Sequence, residues 1–179
     1  MHWYTADTHF GHDNIIRYCK RPFKSSREMD AKIVANIRNC VAEDDDLWIV
    51  GDFAFGKNSR DKIYLNEIFE ALPGRKHLVV GNHDGPKTLE LPWETIEKLV
   101  EVKDGSGKSK HTLCHYPMVT WNGFNRGALQ LFGHVHDKWL GSRKSINVGV
   151  DVWGFGPIKF EDIAGRASGL PEIKYWEIS

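Results

Sequence analysis

The chain has 179 residues, and its 24 Lys+Arg balance 24 Asp+Glu, so the formal net charge is zero with histidine neutral. A balanced charge gives no overall field that would attract nucleic acid or an acidic membrane. Hydrophobic residues at 41% and charged residues at 27% are typical of a folded globular protein. This length buries enough apolar surface to fold without cross-links, so we expect residues 1–179 to form a single domain.

The cysteines and the N-terminus predict a cytoplasmic location. Cys19, Cys40 and Cys114 are odd in number and lack a CxxC pattern, which favours free thiols in a reducing compartment. The first residues have neither a basic segment nor an apolar core, so we expect no cleavable leader. No stretch approaches the roughly 18 apolar residues of a membrane span, and no membrane contact is predicted.

The first half of the chain alternates between predicted strands and helices. Residues 2–6, 47–50 and 78–80 are short apolar runs that end at glycine or polar residues, as buried strands do. Ser25 and Glu28 have the spacing of a capping box, and the apolar spacing that follows predicts a helix over 26–42. A second helical pattern runs from Ile63 to Leu72 and stops at Pro73-Gly74. Alternating strands and helices predict a parallel sheet.

The second half is predicted to be mainly β. Residues 112–114, 129–132, 146–150 and 173–178 are further strand candidates, and residues 104–107 have the composition of a hairpin turn.

Five of the predicted strands end in Asp, His or Asn. Ligand sites form outside the carboxyl ends of strands in α/β sheets, so we expect these side chains to meet. Two pairs are spaced i, i+2, and an extended backbone would point both members of each pair to the same side. The candidate ligands are Asp7, His9, Asp52, Asn82, His115, His134 and His136.

This ligand set predicts two metal ions. Seven protein ligands exceed the four of a tetrahedral zinc site, but they suit two cations that share a bridging carboxylate. Nitrogen and oxygen donors without thiolate favour manganese, iron, zinc, cobalt or nickel over calcium. Two dications against two carboxylates leave a positive centre that would attract a phosphate oxyanion.

The motifs, in this order, resemble those of the calcineurin-like metallophosphoesterase superfamily. The resemblance rests on Asp7-x-His9, Gly51-Asp52, Gly81-Asn82-His83-Asp84, His115 and Gly133-His134-x-His136. Residues 7–16 are also similar to a group of small bacterial and phage phosphoesterases. The resemblance implies an α/β fold, a four-layer αββα sandwich of two mixed sheets flanked by helices.

The resemblance also implies roles for the residues. Asp7, His9 and His136 would bind one metal; Asn82, His115 and His134 would bind the other; Asp52 would bridge them. His83 would be the general acid or would stabilise the transition state, and Asp84 would orient it.

Two further residues are candidate substrate contacts. His12 would either contact the substrate phosphate or cap a helix that begins near Asn14, and the sequence favours neither. Arg17 lies one turn into that helix and would steer phosphate, although an arginine there is more often a surface residue.

The expected activity is hydrolysis of a small phosphate monoester or diester, with a nucleotide as one candidate, by water that the metals activate. A nuclease acting on DNA or RNA ends is the alternative, disfavoured by the even charge. A third hypothesis is a protein-binding scaffold of the same fold, for which the complete ligand set and His83 would be superfluous.

Overall fold

A computed structural model describes residues 1–105 and 110–173. The strands are β1 His2–Thr5, β2 Asp46–Ile49, β3 Arg75–Val79, β4 Thr95–Glu97, β5 Leu99–Val102, β6 His111–Cys114, β7 Gln130–Phe132 and β8 Ser145–Asn147. The α-helices are α1 Asp13–Tyr18, α2 Ser26–Cys40, α3 Lys62–Ala71, α4 Pro86–Leu89 and α5 Phe160–Gly169. Single 3₁₀ turns lie at Asn58–Arg60, Phe124–Arg126, His136–Lys138 and Val150–Val152.

The described strands form two four-stranded sheets. The first has the order β1-β2-β3-β4 with every pair parallel, and Trp3 pairs with Leu47 in its register. The second has the order β5-β6-β7-β8, in which β5 and β6 are antiparallel and the other pairs parallel. The parallel pairing places the carboxyl ends of β1, β2 and β3 at one edge of the first sheet. In the second sheet it places the carboxyl ends of β6 and β7 side by side.

Two apolar clusters separate the layers. In the first, Leu47 and Leu78 of the first sheet pack with Ile33 of α2 and Leu65 of α3. The second cluster lies between the sheets and includes the alternate residues of the same strands. Its members from the first sheet include Tyr4, Trp48 and Val79, and those from the second include Leu113, Leu131 and Ile146, with Ile163 and Ala167 of α5 in the same cluster. The predicted αββα class is confirmed, with the mixed pairing confined to the second sheet.

Helix α2 begins close to its predicted position because of its cap. The Ser25 side chain accepts a hydrogen bond from the Glu28 amide at 3.3 Å, as a helix N-cap does. The Glu28 carboxylate, however, accepts from the amide of Lys24 at 2.8 Å, one residue before the cap. The predicted capping box is therefore formed in part. Glu28 bonds the amide of Lys24, whereas in the usual box it would bond the amide of the N-cap residue, Ser25.

Four elements were not predicted, the first being the short helix α4 after the Gly81–Asp84 motif. Strands β4 and β5 lie in a segment with no clear alternation of buried and exposed residues. Helix α5 corrects the expectation that the second half is mainly β. Residues 106–107 of the predicted turn and 174–178 of the predicted strand lie outside the described residues.

The structure bears on two further predictions, those on disulfides and on membrane-spanning segments. Cys19, Cys40 and Cys114 are free of disulfides, as predicted. Among the helices in the described ranges, none has the length and apolar content that crossing a membrane requires.

Candidate metal centre

The predicted ligands converge where the strands end. Two sets of three side chains each bring one ligand atom per residue within 4.8 Å of the others. The first set is Asp7, His9 and His136, and the second is Asp7, Asp52 and His115. The Asn82 side-chain oxygen is 3.2 Å from Nε2 of His115. The His134 ring lies 5.2 Å from the His115 ring, centroid to centroid. All seven predicted ligands therefore belong to one cluster.

Asp52 lies between the two halves of this cluster. Its Oδ2 is 3.5 Å from Nε2 of His9 and 3.4 Å from Nε2 of His115. Its Oδ1 accepts a hydrogen bond from the His83 amide at 2.8 Å, which fixes the carboxylate plane. A carboxylate oxygen equidistant from two imidazoles of different halves has the placement that a bridging ligand needs.

Two of the imidazoles are oriented by their other nitrogen. Nδ1 of His115 donates to the carbonyl of Val50 at 2.9 Å, since a carbonyl can only accept. Nδ1 of His136 donates to the Asp151 carboxylate at 2.8 Å. In each ring Nε2 is left to face the cluster, which is the usual arrangement of metal-binding histidines.

His9 supplies a test of whether the residues fit a metal. His9 is 1% exposed, and neither of its ring nitrogens has a hydrogen-bond partner within the described ranges. A buried imidazole without a partner costs free energy unless something satisfies it. A cation held with Asp7 and Asp52 would do so, and nitrogen and oxygen donors suit a transition-metal dication. The residues therefore fit divalent metal ions.

Protonation in this cluster follows from burial and mutual charge. Burial alone would raise the pKa of Asp52, but the hydrogen bond and charge of His115, with the charge of His9, lower it to about 2. Burial raises the pKa of Asp7 to about 6, against the influence of His136 and His115. Burial also lowers the pKa of His9 well below its usual value. At neutral pH these groups are therefore in the forms that ligate cations.

His136 differs in its protonation. Burial would lower its pKa, but the hydrogen bond to Asp151 and neighbouring acidic groups raise it to about 10. A cation that binds Nε2 must therefore displace a proton from this ring, so binding there becomes stronger as the pH rises.

The ligand backbones adopt an unusual conformation. Asp7, His9, Asp52, His134 and His136 all have φ between 50° and 71°. Left-handed backbone is uncommon for residues with a side chain, although Asp and His are among those that adopt it more often. The prediction of extended backbone at the two i, i+2 pairs is therefore wrong, since all four residues have positive φ. Asp7 and His9 still converge, through two left-handed residues rather than through a strand.

The glycines before the ligands are explained by close approach. A Cβ at Gly133 would lie 2.6 Å from Oδ2 of Asp7, and one at Gly81 would overlap Oδ1 of Asp52. The motifs at 81–84 and 133–136 thus each combine a ligand with a glycine that makes room for a ligand from another strand.

A family model described as calcineurin-like phosphoesterase matches residues 3–162. The chain belongs to this family. It is therefore a metal-dependent phosphoesterase in general terms, a hydrolase of phosphate esters.

Relatives of this phosphoesterase span most of its length. An uncharacterised protein from Methanocaldococcus jannaschii is 32% identical, with 87% of this chain and 85% of that protein aligned. The Gene 66 protein of Mycobacterium phage L5 is 27% identical, over 85% of this chain and 87% of the relative. The crystal structure of a protein of unknown function from Aquifex aeolicus has a TM-score of 0.73 and 30% identity. That alignment covers 93% of this chain and 98% of the other.

His83 and Asp84 do not form the expected pair in this phosphoesterase. The Asp84 carboxylate accepts from the backbone amides of Asp52, Phe53 and Gly81 at 2.8–2.9 Å. No hydrogen bond joins it to the His83 ring in the part of the chain that the structure describes. The expectation that Asp84 orients His83 is therefore corrected: Asp84 ties together the loops that follow β2 and β3. The His83 ring instead contacts Phe55, with centroids 4.0 Å apart, and lies 5.4 Å from His9.

The two candidate substrate contacts differ in position. His12 occupies the N-cap of α1 but makes no side-chain capping bond. Its buried ring lies 5.4 Å from the His9 ring and 4.8 Å from Phe55, next to the cluster. Arg17 is exposed on α1 with its guanidinium over Tyr18. His12 is thus beside the site, whereas none of the contacts among described residues links Arg17 to the metal ligands.

Sequence reasoning missed a buried ion pair behind the ligands. Arg21 donates to both Asp151 oxygens at 2.7 and 2.8 Å, and the two side chains are 0% and 3% exposed. Arg21 also donates to the carbonyls of Asp7 at 2.7 Å and Thr8 at 3.1 Å. Asp151 in turn holds His136, so one pair positions two ligand segments. Arg21 lies in no motif, and Asp151 was indicated only by its position directly after the strand predicted at 146–150.

Proposed function

We propose that this phosphoesterase hydrolyses phosphodiester or phosphomonoester bonds of a small substrate, with nucleotides as a candidate class, and that it uses two divalent cations. Manganese, iron, zinc, nickel and cobalt all suit the donor set. The observation that carries the proposal is the placement of Asp52 Oδ2 between His115 and the buried His9, whose ring nitrogens have no hydrogen-bond partner among the described residues.

The ligands divide into two groups around Asp52. Asp7, His9 and His136 would hold one cation, and Asn82, His115 and His134 would hold the second. Bound there, the cations would supply Lewis-acid polarisation of the phosphoryl group and would lower the pKa of a coordinated water.

The described side chains fit the remaining steps. His83 is half-buried, and its amide is fixed on the carboxylate of Asp52, so its ring stays close to the ligands while remaining open to a substrate. We assign it the role of general acid, donating a proton to the leaving oxygen. His12, against His9 and Phe55, is the candidate contact for a phosphoryl oxygen.

A protein-binding scaffold does not account for this site. Left-handed backbone at five ligand residues and a buried imidazole without a partner both lower stability. Such costs are expected where a site binds a ligand, and a scaffold would gain nothing from them.

The proposal is tested first by metal content and turnover. We expect about two divalent ions per chain by elemental analysis, by analogy with two-metal hydrolases. We also expect hydrolysis of bis(p-nitrophenyl) phosphate that a chelator abolishes and Mn²⁺ restores. Full activity in metal-free protein, or a phosphoryl-enzyme trapped by rapid quenching, would rule out the mechanism.

The role of His83 is tested by changing the leaving group. A nitrophenolate departs without protonation, whereas an alkoxide needs it. His83→Ala should therefore lose about 10²–10⁴-fold in kcat/KM on an alkyl ester and far less on the matched nitrophenyl ester. His2→Ala, at the start of β1 and outside the cluster, is the control. Equal losses on both esters, with metal content unchanged, would leave His83 only an electrostatic role.

A further inference from the structure

A groove of about 510 Å³ opens beside the metal ligands. It is lined by residues from the segment 55–60, which follows β2, and by residues from 83–87, which follows β3. Both segments continue directly from metal-ligand motifs. The groove is therefore placed by the same strand ends as the cluster.

The lining of the groove is positively charged. Lys57, Arg60 and Lys87 line it, and none of the described residues that line it is a carboxylate. Lys87 forms an ion pair with Glu90 at 3.0 Å. The exposed side chains of Lys57 and Arg60 make no ion pair or side-chain hydrogen bond with any described residue. Because the whole chain has zero net charge, this excess of cations is local.

His83 connects the groove to the reacting centre. Its ring lines the groove and also lies 5.4 Å from the His9 ring. A general acid must contact the leaving oxygen, so the group attached to that oxygen extends away from the cluster past His83. The space in that direction is the groove, which is also lined by Phe55, the residue whose ring contacts His83.

We infer that the groove binds the leaving-group side of the substrate and that this side carries a second phosphate. Lys57 and Arg60 would contact that phosphate, and Arg60 offers the planar set of donors that matches phosphate oxygens. This inference rests on the proposed function, because it takes His83 as the acid. The same chemistry belongs to a small bisphosphorylated molecule or to a nucleotide strand.

The inference is tested with thymidine dinucleotides. We would compare kcat/KM for TpT with that for the same dinucleotide carrying an added 5′ or 3′ phosphate. An exposed cation–phosphate contact contributes a factor of about 2 to 5, so two contacts predict a preference on the order of tenfold for one phosphorylated form. The preference should shrink in 0.5 M salt, since the contacts are exposed.

The variants identify the source of the preference. Lys57→Ala/Arg60→Ala should bring the ratio of the two kcat/KM values close to one. Lys32→Ala/Arg38→Ala removes the same charge from exposed positions on α2, away from the groove, and should keep the ratio.

Each outcome has a distinct meaning. Turnover of bis(p-nitrophenyl) phosphate and TpT with no preference for added phosphate would overturn the groove assignment alone. An equal loss of preference in both double variants would also overturn it, since the effect would then come from net charge. No turnover of any ester by metal-loaded protein would overturn the proposed function and this inference with it. If the phosphorylated dinucleotide is preferred, its kcat/KM is then compared with that of a thymidine decamer. A higher value for the decamer would show that the groove binds a nucleotide strand, and an equal or lower value would show that it binds a small molecule.

Discussion

The buried pair of Arg21 and Asp151 should control metal affinity without touching a metal. Asp151 accepts from Arg21 and from Nδ1 of His136, and Arg21 holds the carbonyls of Asp7 and Thr8. Asp151→Ala leaves a fully buried guanidinium unpaired, which costs about 3–5 kcal/mol of stability. It also frees the His136 ring, and loss of such a partner lowers metal affinity by about 10–100-fold.

A double variant separates these two effects. Arg21→Met/Asp151→Leu removes both charges and keeps apolar volume, so most of the stability should return. Metal affinity should stay low, because neither the His136 ring nor the Asp7 carbonyl regains its partner. Chelator-treated proteins would be compared by urea unfolding and by titration with Mn²⁺. Recovery of affinity together with stability would refute the positioning role and show that the pair only stabilises the fold.

Three further variants test single contacts. Asp52→Asn should lower metal stoichiometry further than His134→Ala, because Asp52 Oδ2 lies between His9 of one group and His115 of the other; two ions retained in elemental analysis would exclude bridging. Gly133→Ala should weaken Mn²⁺ binding, because its Cβ would lie 2.6 Å from Asp7 Oδ2. Gly165→Ala, with open space in α5, is its control, and equal affinities in the two variants would contradict the steric argument. Burial raises the pKa of Asp30 from 3.8 to about 6, so its contribution to stability is full below pH 4 and is lost as the pH rises through 6. The free energy of unfolding of metal-free wild type, minus that of Asp30→Asn, should therefore fall by about 2 kcal/mol between pH 4 and 7.5, and a constant difference would contradict it.

The ligand residues could be predicted because they follow strands. An apolar run that ends in a polar residue indicates both a strand and its carboxyl end, and parallel pairing brings such ends together. Asp7, Asp52 and Asn82 follow β1, β2 and β3 in this way. Their convergence needed only the order of the elements, which local sequence patterns determine.

The secondary structure after residue 90 was harder to predict for local reasons. Thr95–Glu97 and Leu99–Val102 are short, partly exposed strands, and Leu99 is exposed where a core residue would be expected. Helix α5 contains Gly165 and Gly169, and glycine is a poor helix former. Its buried positions, Ile163 and Ala167, form a single pair at i, i+4. These segments take their structure from packing against the rest of the protein rather than from their own pattern.

The residues that shape the site were missed because they act on the backbone of other segments. Arg21 bonds carbonyls 13 and 14 residues away, and Asp84 bonds amides 31 and 32 residues away. Asp30 accepts from the amide of Gly11, which is 19 residues distant. No spacing rule connects such positions, since they meet only after the sheet has formed.

The strained ligand backbones explain why these buried charged residues are there. Five left-handed ligand residues at on the order of 1 kcal/mol each amount to about 5 kcal/mol, a large part of the stability of a typical domain. Such a conformation persists only where its surroundings impose it. Arg21 holds the carbonyl of Asp7, and Asp84 holds the amide of Asp52, so each of these two left-handed residues has its backbone bonded to a buried charged side chain. Both side chains are buried, so they form hydrogen bonds from which water is excluded. The geometry of this centre therefore depends on residues that contact no metal, and its metal affinity should be as sensitive to them as to the ligands.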